Sequence, residues 1–101
     1  MVKIYIVEDD EVILKSLGKF LKSWSYEVFS PDDFSSVYEN FLDINPDLVL
    51  LDVSLPFFNG YYWCEKIRSS SNVPIIFISS ADENLNKIMA MNMGADDYIT
   101  K

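Results

Sequence analysis

The chain has 101 residues, 50% of them hydrophobic and 24% charged, a balance that suits one small domain with one core and is too apolar for a disordered tail. Sixteen acids against eight bases give a formal net charge of −8, which argues against unassisted binding to a nucleic-acid backbone and fits an acidic pocket that recruits a cation. Cys64 is the one cysteine, so no internal disulfide can form, and the start MVKIYIVEDD carries acids where a secretion signal needs a basic end and an apolar stretch. With no apolar run near the roughly 20 residues of a membrane-spanning helix, the expectation is a cytoplasmic chain that meets neither membrane nor nucleic acid directly.

Residues 2 to 7, VKIYIV, are β-branched and aromatic over a strand's length and end in an acidic stretch, Glu8 to Glu11. Ile13, Leu17, Phe20, Leu21 and Trp24 then fall at helical spacing, with Asp9 or Asp10 as the N-cap. Tyr26 to Phe29 form a short second strand, and SPDD at 30 to 33 signals a helix start that Phe34, Val37, Tyr38, Phe41 and Leu42 continue. Asn45 and Pro46 stop that helix. Leu48 to Leu51 are apolar at every position, as expected of a central strand covered on both faces. A loop to Gly60 leads into a helix through Trp63, Cys64 and Ile67, ended by the polar run 69–72. Val73 to Ile78 make a fourth strand, Glu83 to Met93 a helix closed by Gly94, and Asp97 to Thr100 a fifth strand. Strict alternation of strand and helix is the signature of a parallel α/β sheet built from right-handed crossovers with helices on both faces.

In such sheets ligands gather at the carboxyl ends of the strands. Glu8 and Asp9 end the first strand, Asp52 the third, Ser79 and Ser80 the fourth, and Lys101 follows the fifth. Singly, each has an ordinary role as cap, turn or solvated charge. Together they bring three carboxylates, a hydroxyl and an ammonium to one edge. Crowded carboxylates repel unless a cation joins them, and magnesium takes hard oxygen ligands such as one or two carboxylates with phosphate oxygens. A carboxylate can also serve as nucleophile and form an aspartyl phosphate, with the cation, a lysine and a hydroxyl stabilising the phosphoryl oxygens. Other phosphate machinery is excluded: three glycines cannot build a Walker or dinucleotide loop, and the absence of His removes Ser-His-Asp and Cys-His catalysis.

The motifs IVEDD at 6 to 10, LLDVSLPFFNG at 50 to 60, VPIIFISS at 73 to 80 and GADDYITK at 94 to 101 resemble the receiver domain of two-component response regulators over essentially the whole chain. The resemblance implies a flavodoxin-like, doubly wound five-stranded parallel sheet of order 2-1-3-4-5, forming one receiver domain over residues 1–101 that lacks the family's last helix. It implies that Asp52 is the phospho-acceptor and that Glu8 and Asp9 hold Mg2+ with Asp52 and the backbone carbonyl of Ser54. Ser79 would be the switch hydroxyl, Lys101 the lysine that pairs with the phosphoryl group, and Tyr98 the switch aromatic. Ser80 stands where the family usually has a small apolar residue, and Phe57 and Phe58 are bulky for the loop beside the acceptor. GADDYITK is most similar to regulators whose second domain is a winged-helix DNA binder.

These features imply a signalling switch that receives phosphate on Asp52 from a histidine kinase, relays it to an effector that regulates transcription in the full-length protein, and turns over no substrate beyond its own phosphoryl group. A magnesium-dependent phosphohydrolase with an Asp nucleophile is the rival, although such enzymes carry a second acid two residues after the nucleophile and position 54 is Ser. A phosphorylation-independent interaction module is a third reading, opposed by the intact set Glu8, Asp9, Asp52, Ser79 and Lys101. Strand four is apolar from Ile75 to Ile78, and with one helix, residues 11 to 24, for the face that a further helix would share, one side of strands four and five is left bare; that face and the edge strand at Tyr98 to Thr100 predict a homodimer or element-swapped oligomer.

Overall fold

A computed structural model describes residues 1–79 and 94–100, with the backbone alone at Tyr98 and Thr100. The elements run β1 Lys3–Val7, α1 Glu11–Ser23, β2 Glu27–Phe29, α2 Val37–Ile44, β3 Leu48–Asp52, α3 Gly60–Arg68, β4 Ile75–Ser79 and β5 Asp97–Thr100. All neighbours pair in parallel, in the order β2-β1-β3-β4-β5. This is the doubly wound α/β sheet that the alternation predicts. The expected helix at 83–93, Ser80 and Lys101 lie outside the described residues.

Because successive strand residues point to opposite faces, each central strand feeds two cores. Tyr5 and Val7 of β1, Val49 and Leu51 of β3 and Ile75 and Phe77 of β4 face α2 and α3, where Val37, Phe41, Trp63, Cys64 and Ile67 cover them. Ile4, Ile6, Leu50 and Ile78 face the other way, toward Leu14, Leu17 and Leu21 of α1. The Tyr5 hydroxyl crosses the larger core to donate to the Val37 carbonyl at 2.9 Å, which satisfies a buried polar group that would otherwise be costly.

Three expectations are corrected. The α1 stripe turns by about one residue from the one read in the sequence: Leu14, Leu17 and Leu21 pack inward, while Phe20 and Trp24 stay exposed. They meet each other instead, ring centroids 6.4 Å apart. The second helix begins at Val37, later than SPDD suggests. Asp33 spends its side chain on a local turn, Oδ1 accepting from the Ser35 amide at 2.7 Å and the Ser35 hydroxyl at 2.6 Å, a competition typical of Asp. Those two bonds hold the Asp33 carboxyl below its usual range. Leu42, assigned to the stripe, is exposed.

Candidate functional site

The site grows from the ends of β1 and β3. Val7 pairs with Leu51 and Asp52 with Ile78, so Glu8, just past β1, comes level with the end of β3. Asp10, not Asp9, caps α1: its Oδ1 accepts from Val12 N at 2.9 Å and Ile13 N at 3.3 Å. That leaves Asp9 for the sheet edge. The Asp10 amide donates to Glu8 Oε2 at 3.1 Å, orienting the buried carboxylate.

Glu8, Asp9 and Asp52 each offer a carboxylate oxygen, and these oxygens lie within 4.8 Å of one another. Glu8 and Asp52 are each 1% exposed, and Asp9 is open to solvent. Unit charges at this spacing repel by roughly 3 kcal/mol even at an effective dielectric of ~20. Such an arrangement calls for a cation, and a hard dication suits three carboxylates. Asp9 and Ser54 both line an open cleft of about 590 Å3 with Val53, Leu55, Pro56 and Asn59, which gives a ligand access to the exposed side of the cluster.

Ser79 is fully buried at the end of β4, one residue past the Ile78 that pairs with Asp52. β5 runs alongside, Ser79 opposite Thr100 and Phe77 opposite Tyr98. The structure therefore brings Glu8, Asp9, Asp52 and Ser54 to one place and Ser79 to the neighbouring strand end; the Tyr98 side chain and Lys101 are outside what it describes.

Asn59 escaped the sequence reading, as did the supporting roles of Gly60 and Phe57. Asn59 caps α3, its Oδ1 accepting from Tyr62 N at 3.0 Å, and an Asn before a helical apolar pattern is a readable start signal. Gly60 donates its amide to the Val53 carbonyl at 2.8 Å, and a Cβ there would collide with the Asp52 carbonyl oxygen. Phe57 sits at φ 69° with Phe58 N bonded back to Pro56 O at 2.9 Å. This is a three-residue turn of the strained hand. It leaves the Phe57 ring 75% exposed beside the cleft, while Phe58 stacks on Tyr62 at 4.2 Å between centroids.

Comparisons with known proteins agree with this geometry. A family model for the response regulator receiver domain matches residues 4–101. The chain is 48% identical over 99 residues to Response regulator protein GraR of Staphylococcus epidermidis, a match covering 98% of this chain and 44% of that protein. It thus spans less than half the length of that relative. Among solved structures, the N-terminal domain of the nisin resistance regulator NsrR superposes with a TM-score of 0.92 at 46% identity, covering 100% of this chain and 86% of that one. The BeF3-activated receiver domain of Klebsiella pneumoniae RstA gives 0.90 at 34% identity, covering 98% and 85%. With motifs, sheet order and carboxylate cluster all in register across this span, the chain belongs to the family of response regulator receiver domains.

Proposed function

We propose that this domain is a phosphorylation switch in which Asp52 accepts a phosphoryl group from a histidine kinase. The observation that carries the reading is the gathering of two buried carboxylates and one exposed carboxylate within 4.8 Å. Asp52 has the position for the nucleophile: it ends the central strand, and its neighbours on both flanks are strand ends that carry Glu8 and Ser79. An Asp52 oxygen forms the new bond to phosphorus as the bond to the donor's imidazole nitrogen, or to an acyl oxygen, breaks, the leaving atom keeping the electron pair.

Glu8, Asp9, Asp52 and the Ser54 carbonyl would hold Mg2+, which when bound supplies positive charge to the phosphoryl oxygens. Ser79 donates its hydroxyl to one such oxygen, Lys101 pairs with another, and Tyr98 follows Ser79 inward as the readout. The RstA receiver domain was solved in a BeF3-activated form, which supports an activatable site in this family. In the full-length protein the output is transcription regulation through an effector domain, and the setting is cytoplasmic; no helix of the described residues is long and apolar enough to cross a membrane. Self-association belongs to the same reading, supported by an apolar groove of about 450 Å3 lined by Val12, Leu17, Phe20, Leu50, Ile78 and Ile99.

Intact mass after incubation with magnesium and acetyl phosphate tests the assignment. One added phosphoryl group is expected in the wild type and none in Asp52→Asn, with Asp9→Asn losing magnesium binding in a direct titration. Labelling that persists in Asp52→Asn moves the acceptor elsewhere.

A further inference from the structure

On the flank of α1 that faces β2, Lys15, Lys19 and Lys22 stand at i, i+4 and i+7, one exposed helical face. They rim a groove of about 420 Å3 whose remaining wall is Leu14, Gly18, Val28, Phe29 and Ser30. The chain has eight basic residues in all, so three of them in one groove is a strong concentration in a molecule of net charge −8. The one ion pair among the described residues is Arg68 with Asp96. None of the three lysines has a carboxylate or hydrogen-bonding partner among those residues, and the buried Gly18 leaves the groove without a side chain at its middle.

From this we infer that the α1–β2 groove docks an acidic segment of a partner protein, one that carries an apolar side chain for the Leu14–Val28 wall and carboxylates for the lysine rim. Charge complementarity names the chemistry. Footprint selects the partner class. A duplex or an anionic bilayer presents an extended negative surface and would meet acids beyond the stripe as well as the lysines, Glu11 standing one turn before Lys15 on α1. A short peptide touches the stripe alone. The inference does not rest on Asp52 chemistry, since the groove lies on the opposite flank of α1 from the apolar one lined by Val12 and Ile78.

The test uses a fluorescein-labelled peptide of glutamates interrupted by a single leucine, titrated by anisotropy, with amide shifts mapped by NMR. Saturable binding is expected, with shifts confined to residues 14–30. It should weaken as salt rises, because exposed charges are screened beyond about 8 Å at physiological ionic strength. Lys15→Glu/Lys19→Glu/Lys22→Glu should bind at least tenfold more weakly while keeping its fold and its acetyl-phosphate labelling. The single Lys19→Gln, a mild change at an exposed site, should weaken binding about twofold and covers the case in which the triple reversal fails to fold. Equal affinity in both variants, or shifts centred elsewhere, overturns the proposal. So does tighter binding of phosphatidylserine vesicles or duplex DNA than of the peptide, or a sedimentation shift showing that the lysines hold a second copy.

Discussion

Two backbone positions beside Asp52 make opposite demands. Gly60 has no room for a Cβ because the Asp52 carbonyl oxygen occupies that space, so Gly60→Ala must push α3 away from β3. We expect a loss of at least about 2 kcal/mol, in the range of a forced overpacking change, together with slower acetyl-phosphate labelling; unfolding by urea and a labelling time course check both. Phe57 holds a positive φ of 69°, where a side chain costs about 1–2 kcal/mol. Phe57→Gly is therefore expected to raise stability by about 1 kcal/mol, read from the urea midpoint. The acids of the site were legible because each lies at or just past the end of a strand, and strand ends converge in a parallel sheet. Neither backbone demand was legible. A close approach between α3 and β3 is a tertiary fact, and nothing about a phenylalanine announces a left-handed residue.

At the scale of elements, the join between α3 and the β4–β5 edge depends on one side chain. Arg68, at the end of α3, donates through Nε to Gly94 O at 2.9 Å, through one terminal nitrogen to Val73 O at 2.6 Å and through the other to Asp96 Oδ2 at 2.8 Å. Asp96 Oδ2 also accepts from Ile75 N at 2.8 Å. Gly94 is needed here, since its φ is 97° and an added Cβ would lie 3.0 Å from Arg68 Cγ. A lysine cannot reproduce a planar fork. Arg68→Lys is expected to cost about 2 kcal/mol by stranding carbonyls and to speed amide exchange at Ile75 and along β5; unchanged exchange there would show that the edge is held otherwise. Strand positions were read closely because apolar β-branched runs bounded by turns leave little choice. Helix faces were read less well. The α1 stripe admits two neighbouring alignments, and packing against Ile4, Ile6 and Leu50 selects the one through Leu14 rather than Phe20.

For the whole molecule, burial sets an alkaline limit. Burial is the main cause that raises the Tyr5 hydroxyl, with Asp32 and Glu39 adding to it, and burial pushes the Cys64 thiol up from 9.0 to about 11. Both groups are neutral in the fold and ionise more easily when unfolded. Their contribution is thus complete below the unfolded pKa and is lost as pH rises toward the folded one. Urea midpoints should hold steady up to 9.0 and fall between there and about 11, and Cys64→Ala should flatten the start of that fall. A flat wild-type profile would mean that neither group is shielded. The apolar groove over Leu50, Ile78 and Ile99 bears on association at the same scale. Sedimentation of the 101-residue chain is expected to show reversible dimers that Phe20→Glu, at a 60% exposed position, disperses.

Cys64 also turns the protein into its own clock. It is the single thiol of the chain and has no exposed surface, so a thiol reagent can react only during the moments when α3 lifts from the sheet. The rate of that reaction counts such openings without any added label. Because α3 begins at the Gly60 contact with the Asp52 carbonyl, the same count reports whether occupying the carboxylate cluster tightens the helix behind it or leaves its breathing unchanged.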